Sequence, residues 1–302
     1  MMKTHYDSLP VLTFNFLSFL IDFLKLTKFR LAVSVVFSSV AGYLLAVDQI
    51  DISILLGLFF GGFAMVGASN AFNQWIEKDK DALMIRTMDR PLPAGRMNNL
   101  AALAIASLLT LAGIYILNNI NFKTALFGSL SIFMYTCIYT PLKSLTPLSV
   151  FVGAFPGAIP FMLGWVAATG SFGIEPGLLF MIQFFWQFPH FWAIGWIMDD
   201  DYKKAGFKML PTGNPDRATA FQIVFYTFWT IIISITPFTQ YSGDLSLSLE
   251  AVVGLILIGI YFLYHALILM QKRTKDAARK LMYASITYIS LLQITYVLDK
   301  WI

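Results

Sequence analysis

The chain has 302 residues, of which 58% are apolar and only 13% are charged, and its formal net charge is +4. This balance lies well outside the range of soluble domains and excludes that class of protein. The single cysteine also excludes an intrachain disulfide.

Nine apolar runs follow one another along the sequence, each about 20 residues long, which is the length a helix needs to cross a bilayer. Each run must be helical, because lipid offers no partner for an unpaired backbone group. The sequence therefore predicts an all-α, polytopic membrane bundle of nine transmembrane helices, forming one domain over residues 1–302. The predicted spans are 30–47, 53–73, 99–117, 122–140, 148–169, 177–198, 218–237, 247–270 and 282–299.

The N-terminal part of the chain is predicted to lie on the membrane rather than to cross it. Met1–Pro10 lacks the order of charged, apolar and small residues that marks a signal peptide. The next segment, Val11–Leu26, is apolar but contains Asp22 and Lys25, which favours an interfacial position. Residues 1–28 are accordingly assigned to an interfacial segment.

The distribution of basic residues predicts the orientation of the bundle. If the N-terminus is cytoplasmic, every Lys and Arg except Lys123 and Lys300 falls on the cytoplasmic side, as the positive-inside rule requires. The net positive charge then faces anionic lipid headgroups. A nucleic-acid partner is therefore not needed to explain it.

The end of the second run carries the first polar cluster with a chemical meaning. Asn73, Glu77 and Asp81 are four residues apart and share one face of a helix. Two carboxylates and an amide suit a hard divalent cation such as Mg²⁺, which often bridges to phosphate. Arg86 and Arg90 follow directly and could bind the phosphate oxygens. The alternative is a solvated helix end with mixed charges.

A short connection between the fourth and fifth runs is bounded by Pro141 and Pro147, which keep the flanking helices apart. Its one basic residue, Lys143, is either a topology marker or a phosphate ligand beside the acidic cluster, and we favour the ligand. The following helix contains small and kinking residues, which allow close backbone approach or open a cavity at membrane depth. These residues are Gly153, Pro156, Gly157, Pro160 and Gly164.

The sixth run contains an aromatic stretch, Phe184–Trp192, with His190 inside it. An ionisable residue within a membrane span is a functional candidate. His190 could ligate a haem iron, act as a general acid or base, or be a hydrogen-bonded core residue. His265 is assigned to the core because no motif surrounds it, and Cys137 is expected to be inert core packing.

The loop after the sixth run repeats the order of the loop after the second, with acidic residues, basic residues and then a Leu-Pro pair. Asp199, Asp200 and Asp201 could face the first cluster across a cavity and hold a second metal ion. The alternative is a solvated helix C-terminus. Because acids oppose the negative end of a helix dipole, their presence there favours a functional reason.

Several motifs occur in a fixed order between residues 25 and 235. Besides the acidic motif Asn73-x₃-Glu77-x₃-Asp81, they are Arg86-Thr87 with Arg90-Pro91-Leu92-Pro93, Tyr139-Thr140-Pro141-Leu142-Lys143, Gly157-Ala158-Ile159-Pro160, Trp186-Gln187-x-Pro189-His190-Phe191, and Asp201-Tyr202-x₂-Ala205-Gly206-x₂-Met209-Leu210-Pro211. Together they resemble the UbiA superfamily of intramembrane prenyltransferases, and within it the branch that farnesylates protoheme IX. Two features depart from that pattern. Glu77 stands where the family often has Asp, and of the second acidic group only Asp201 and Tyr202 fit the haem-specific form.

The resemblance implies a UbiA-type fold and a definite reaction, the transfer of farnesyl from farnesyl diphosphate to a vinyl group of haem b. Water completes the new side chain, and the product is haem O. The implied cofactor is Mg²⁺, and the implied place is the cytoplasmic face of a bacterial inner membrane. Haem A synthase or a terminal oxidase would receive the product.

The resemblance also assigns roles to individual residues. The implied metal ligands are Asn73, Glu77, Asp81, Asp200 and Asp201. The implied catalytic set is Asn73, Glu77, Asp81, Asp201 and Tyr202. The implied diphosphate ligands are Arg86, Arg90, Lys143 and Lys204, and His190 is the haem candidate.

Three other functions remain open from the residues alone. A secondary transporter also uses buried ionisable groups, but it predicts polar sites near the bilayer midplane, whereas these acids cluster at helix ends. A non-enzymatic haem-binding membrane subunit leaves the acidic cluster unexplained. A prenyltransferase acting on a quinone-type ring is disfavoured by the His190 segment and by Asp201-Tyr202.

Overall fold

The computed structural model describes residues 16–302. The expectation for Met1–Pro10 and the first part of the interfacial segment lie outside the described residues. Within residues 16–302 every regular element is helical. The helices are α1 (Phe16–Leu26), α2 (Phe29–Ala46), α3 (Ile52–Ile76), α4 (Lys78–Asp81), α5 (Asn99–Ile120), α6 (Phe122–Phe133), α7 (Thr140–Leu142), α8 (Ser149–Thr169), α9 (Ile174–Ile197), α10 (Asp199–Lys204), α11 (Arg217–Ser234), α12 (Leu249–Lys272) and α13 (Lys275–Trp301).

The predicted all-α class is confirmed, and each apolar run contains a long helix. A π-helix, Met134–Tyr139, joins α6 to α7, so that Phe122–Leu142 forms one continuous rod. Eight helical segments within residues 16–302 are long and apolar enough to cross a membrane. The ninth, α9, is 24 residues long but carries Gln, Pro and His in its sequence. The count of nine spans and the cytoplasmic N-terminus stay predictions.

The start predicted for the last span was wrong by two turns. We placed it at residue 282, whereas α13 begins at Lys275. Thr274 caps the helix by accepting a hydrogen bond from the Ala277 amide, 3.2 Å away. The helix therefore begins in a polar segment, which an apolar run cannot reveal.

The most deeply buried spanning segment is α8, which packs against α2 and α9. Glycine allows these helices to approach closely. A methyl group built on Gly164 would lie 1.9 Å from the carbonyl oxygen of Ser39 on α2, and one on Gly157 would lie 1.9 Å from Gln187 Oε1 on α9. Of the two roles predicted for these small and kinking residues, close helix approach is confirmed for Gly157 and Gly164.

The first helix, α1, is amphipathic and exposes a run of apolar side chains that includes Phe16 and Ile21. Its buried Asp22 pairs with Arg96, with 3.0 Å between Arg96 Nε and Asp22 Oδ1. This arrangement suits a helix lying at an interface. The assignment of Cys137 to the core was wrong, because its side chain is exposed on the π-helix.

The orientation of the bundle can be tested by cysteine labelling in a Cys137→Ser background. Gln49→Cys lies in the loop between α2 and α3, and Leu145→Cys in the loop between α7 and α8; both positions are exposed. With a cytoplasmic N-terminus, we expect an impermeant maleimide to label position 49 in whole cells. Position 145 should react only after the cells are permeabilised. The reverse pattern would invert the assigned orientation.

Candidate functional site

Three loops meet at one end of the bundle. Lys143, after α7, lies with its Nζ 2.5 Å from Glu77 Oε1 at the end of α3. The Lys208 amide, after α10, donates a 2.7 Å hydrogen bond to the Lys143 carbonyl oxygen. Lys80 also hydrogen-bonds Ser144 across the first two loops. The predicted grouping of the acidic motif, the Lys143 connection and the second acidic loop at one end is confirmed.

The two acidic loops begin with the same backbone break. α3 ends at Ile76, and Glu77 (φ −95°, ψ 8°) turns the chain into the one-turn helix α4. α9 ends at Ile197, and Met198 (φ −98°, ψ 12°) turns the chain into α10. The sequence parallel between these loops therefore extends to their local structure.

This break overturns our dipole argument for the second loop. Asp199, Asp200 and Asp201 form the first turn of α10 and are not the end of α9. Acids are favourable at a helix N-terminus, because they face its positive end. The helix dipole therefore gives no reason to assign these three acids a function.

Asn73 and Glu77 form a fixed pair on the last turn of α3. Asn73 Nδ2 donates to Glu77 Oε2 at 2.9 Å and to the Thr140 hydroxyl oxygen at 3.2 Å. Both side chains are buried, at 2% and 4% exposure. Both hydrogens of the Asn73 amide are thereby engaged, and its oxygen is the remaining polar atom of the group. It is the atom that this pair leaves available to a ligand.

Asp81 completes the first cluster on α4 and is fully buried. Its Oδ2 lies 2.6 Å from Arg90 Nη1, whereas its Oδ1 has no hydrogen-bond partner among residues 16–302. Burial raises the pKa of the Asp81 carboxyl, although the positive charge of Arg90 opposes the shift. A buried carboxylate oxygen without a donor leaves room for further positive charge at this point.

We call Asn73, Glu77 and Asp81 the acid stripe. The stripe fits a hard divalent cation, because it offers the amide oxygen of Asn73 and the carboxylate oxygen Asp81 Oδ1, which has no donor within residues 16–302. Among residues 16–302, no three His, Cys, Asp or Glu side chains gather into a metal site. Mg²⁺ commonly takes only one or two carboxylates and fills its other positions with phosphate oxygens and water.

The predicted phosphate ligands differ in their present partners. Arg90 and Lys143 pair with the stripe, through Asp81 and Glu77 respectively. Arg86 is exposed, and its positive charge opposes the burial that raises the pKa of Tyr202. Burial lowers the pKa of Lys143, although Glu77 opposes the shift. The Lys143 ammonium is also held 5.0 Å from the Tyr139 ring centroid and 5.1 Å from that of Phe207.

Lys28 belongs to the same cluster, and sequence reasoning used it only as a topology marker. It is half-buried, and within residues 16–302 it forms no ion pair. Burial and the positive charges of Arg90 and Lys143 lower the pKa of Lys28 to about 7. A cation held among other cations requires an anionic ligand to offset the repulsion. Lys28 is therefore an additional candidate for the phosphate site.

The position of Lys28 is set by α3. Gln74, the neighbour of Asn73, donates from Nε2 to the carbonyl oxygens of Lys25 and Leu26, at 3.0 Å and 2.9 Å. Lys28 then adopts the left-handed conformation (φ 47°) at the start of α2. A lysine there opposes the positive end of the helix dipole. That unfavourable placement is the sequence signal that could have identified it.

The acids of the second loop are engaged by lysines in this structure. Asp199 pairs with Lys203, Asp201 with Lys204 at 3.4 Å, and the exposed Asp200 with Lys275 at 2.6 Å. Asp200 and Asp201 are thus not grouped with the stripe, and their metal role stays a prediction. Tyr202 packs edge-on against Phe207, with ring centroids 6.1 Å apart. Burial raises its pKa, so its hydroxyl stays protonated at neutral pH.

His190 lies within α9, and its ring is held by a residue of α13. Its Nδ1 lies 2.8 Å from the Ser285 hydroxyl, and its ring stacks on Trp186 with centroids 4.7 Å apart. The Ser285 hydroxyl donates its one hydrogen to the Met282 carbonyl oxygen, 2.6 Å away. Ser285 must then accept from His190, which places the imidazole hydrogen on Nδ1. The lone pair of Nε2 is left free to bind a metal or accept a proton.

An aromatic wall runs along α8 and α9 toward this end of the bundle. Phe184 is its centre, with ring centroids 5.1 Å from Phe155, 5.2 Å from Phe188 and 5.8 Å from Phe180. Such a wall presents π-faces and excludes water. It can therefore shelter an apolar chain or a carbocation.

The sequence matches the UbiA prenyltransferase family over residues 35–290. It is 62% identical over 285 residues to the protoheme IX farnesyltransferase of Christiangramia forsetii, a match covering 94% of this chain and 95% of that protein. It is 58% identical over 293 residues to the protoheme IX farnesyltransferase of Flavobacterium johnsoniae, covering 96% and 98%.

Solved structures of low identity share the fold. A digeranylgeranylglyceryl phosphate synthase superposes with a TM-score of 0.76 at 19% identity, covering 93% of this chain and 98% of that one. A UbiA homologue from Archaeoglobus fulgidus, bound to DMAPP and Mg²⁺, gives 0.65 at 15% identity, covering 91% and 99%. At these identities the likeness concerns the arrangement of the helices alone.

Proposed function

The chain belongs to the UbiA prenyltransferase family, and we propose that it transfers a farnesyl group from farnesyl diphosphate to a vinyl group of haem b, giving haem O. The names of relatives that are 62% and 58% identical over nearly the whole chain support this substrate pair. The structural observation that carries the proposal is the acid stripe. Its buried Asp81 Oδ1 has no donor within residues 16–302, and the cations Arg90 and Lys143 pair with its carboxylates.

The reaction begins with the bond between farnesyl C1 and the diphosphate oxygen. When it breaks, the electron pair leaves with the diphosphate, and an allylic cation remains. The π electrons of the haem vinyl group attack C1 and form the new carbon–carbon bond. Water adds to the resulting carbocation and loses a proton, which gives a hydroxyethylfarnesyl side chain.

The acid stripe and the basic residues act on the departing diphosphate. Asn73, Glu77 and Asp81 would hold Mg²⁺, which supplies positive charge to the diphosphate when bound. Arg86, Arg90, Lys143, Lys204 and Lys28 would bind the remaining oxygens as negative charge develops on them. We leave Asp200 out of the metal set, because it is 74% exposed and pairs with Lys275 on α13.

The ion pairs of Arg90 and Lys143 also bear on how a diphosphate would bind. Arg90 and Lys143 offset the charge of Asp81 and Glu77, which are too deeply buried to remain unpaired. Binding of a metal–diphosphate complex would supply cations to the acids and anions to the bases. Arg90 and Lys143 would then each exchange a carboxylate oxygen for a phosphate oxygen. The carboxylates would bind the metal instead, so that no charge stays buried without a partner.

The haem would lie within the bundle and not in the loops. Nε2 of His190 is a free imidazole lone pair whose other ring nitrogen is already hydrogen-bonded, which is the usual arrangement of a metal-binding histidine. We assign His190 to the haem iron. The aromatic wall around Phe184 would shield the allylic cation from water until the vinyl group attacks.

The chain is a multi-pass membrane protein, and we propose that it lies in the bacterial inner membrane with the stripe facing the cytoplasm. Farnesyl diphosphate, a charged and water-soluble headgroup on an apolar chain, would enter from that side. The product would pass to haem A synthase or to a terminal oxidase.

The proposal is tested by haem extraction from cells with and without the protein, resolved by mass. We expect a haem heavier by one farnesyl group and one hydroxyl group only where the protein is present. An unchanged haem profile, together with prenylation of an added quinone precursor, would favour the ring prenyltransferase. If neither prenylated product were found, the enzymatic proposal would fail and the secondary transporter would become the better explanation.

Lys28→Gln provides a prediction specific to the phosphate site. Because the variant loses one charge-assisted hydrogen bond, we expect farnesyl diphosphate to bind about 10-fold more weakly. Because it also removes a cation from among Arg90 and Lys143, the substrate-free variant should unfold at a higher temperature. The measurements are diphosphate affinity and thermal unfolding in detergent. Arg30→Gln, on the exposed start of α2, is the matched control. It should leave both the diphosphate affinity and the unfolding temperature unchanged.

A further inference from the structure

Thr140 lies beside the acid stripe, and the reaction as described gives it no role. It follows the π-helix directly and is 2% exposed. Its hydroxyl oxygen lies 3.2 Å from Asn73 Nδ2 and 2.8 Å from the Tyr135 carbonyl oxygen. Thr140 therefore connects the amide on α3 to the backbone of the neighbouring rod.

The direction of each hydrogen bond depends on the chemistry of the partners. The Tyr135 carbonyl can only accept, so the Thr140 hydroxyl donates its single hydrogen there. The Thr140 oxygen must then accept from Asn73, which requires the amide nitrogen to face it. The ionised Glu77 carboxylate also only accepts, and it lies 2.9 Å from the same nitrogen. Both amide hydrogens are thus used, and the orientation of the amide is determined.

The π-helix places the Thr140 hydroxyl at this point. The Thr140 amide bonds to the carbonyl of Tyr135, five residues earlier, where an α-helix would use the residue four earlier. The extra residue rotates the rest of the rod by about 100° around the helix axis. The Tyr135 carbonyl then accepts from both the amide and the hydroxyl of Thr140.

We propose that Thr140 is a positioning residue of the metal site, which orients the Asn73 amide so that its oxygen is presented to the divalent cation. This inference rests on the metal role proposed for the stripe. Without the hydroxyl, the amide keeps only Glu77 as an acceptor, and one of its hydrogens is left without a partner. The amide group can then rotate away from the orientation that the cation requires.

The test uses Mn²⁺ as the probe, measured by electron paramagnetic resonance on the detergent-solubilised full chain with farnesyl diphosphate. Thr140→Val keeps the shape but removes the hydroxyl, and we expect Mn²⁺ to bind about 10-fold more weakly, as for the loss of other partners of a metal ligand. Thr140→Ser keeps the hydroxyl and should bind within about twofold of the wild type, well below the roughly 10–100-fold that loss of such a partner costs.

A matched control separates positioning from general packing. Thr230 on α11 is also fully buried, and its hydroxyl also donates to a backbone carbonyl, that of Tyr226, at 2.7 Å. Thr230→Val should therefore lose a similar amount of thermal stability but keep its Mn²⁺ affinity. Equal weakening in Thr230→Val and Thr140→Val would overturn the positioning role.

Two further outcomes distinguish this inference from the proposed function. Wild-type Mn²⁺ affinity in Thr140→Val, or weakening in Thr140→Ser as large as in Thr140→Val, would overturn the role of Thr140 alone. Asp81→Asn, run in the same assay, reports on the stripe itself. If Mn²⁺ binding were unchanged in Asp81→Asn, the stripe would not be the metal site, and both assignments would fall.

Discussion

Asp81→Asn is expected to lower farnesyl transfer by about 10³-fold, at the upper end of the effect of removing one fixed electrostatic group from an active site. The substitution keeps the shape of a fully buried side chain but removes its charge. It also replaces one carboxylate oxygen by an amide nitrogen, which cannot bind a cation. The measurement is prenyl transfer by detergent-solubilised protein at saturating Mg²⁺.

The loss of Asp81 also leaves Arg90 without its carboxylate partner, so folding must be measured beside activity. Asp79→Asn is the matched control, because it makes the same chemical change two residues away on an exposed position of α4. We expect near wild-type transfer in Asp79→Asn and a cooperative unfolding transition in both variants. Near wild-type turnover in Asp81→Asn would remove the stripe from the mechanism.

The membrane architecture was largely predictable, because a long apolar run in lipid has helix as its one available structure. The predicted and observed ends of α8, residues 148–169 against Ser149–Thr169, show how close this reasoning comes. It fails where a helix continues beyond its apolar part. Nothing in the apolar pattern distinguishes Lys275–Leu281 from a loop, although Thr274 supplies a capping signal.

The residues of the first acidic motif could be identified from the sequence, but the backbone conformation that carries them could not. Spacing by four residues predicted one helical face for Asn73, Glu77 and Asp81. The structure keeps Asn73 and Glu77 in contact, but it carries Asp81 on α4, beyond the break at Glu77, so the single helix was wrong. The break at Glu77 has no glycine or proline to announce it, and the same holds at Met198. Such breaks depend on tertiary contacts between loops that are distant in sequence, such as the ion pair of Lys143 with Glu77.

The surroundings of His190 depended on a residue that no sequence motif identified. Ser285 is 95 positions away on α13 and contacts both His190 and Trp186. Periodicity within one helix cannot identify such a partner. The sequence left His190 as a haem ligand, an acid or base, or a core residue. Choosing among these roles requires knowing that Nδ1 donates to Ser285 and that Nε2 keeps its lone pair.

His190→Ala is expected to weaken haem binding by more than the roughly 100-fold that loss of a metal ligand's hydrogen-bond partner can cost. The variant removes the Nε2 lone pair, so the Soret band of bound haem should shift as the iron changes its ligand. Ser285→Ala leaves His190 in place but removes its acceptor, and about 10-fold weakening is expected. The measurement is a haem titration followed by absorbance.

Farnesyl diphosphate binding depends on the loop residues, so His190→Ala should retain it, and a Mn²⁺–diphosphate binding assay on the same sample checks this. His265→Ala is the matched control. It removes a half-buried membrane histidine on α12 whose ring contacts Tyr261 and Tyr264. We expect no change in its haem spectrum. If His190→Ala also left the spectrum and affinity unchanged, the bond between His190 and Ser285 would be a packing contact between α9 and α13, and the iron would need another ligand.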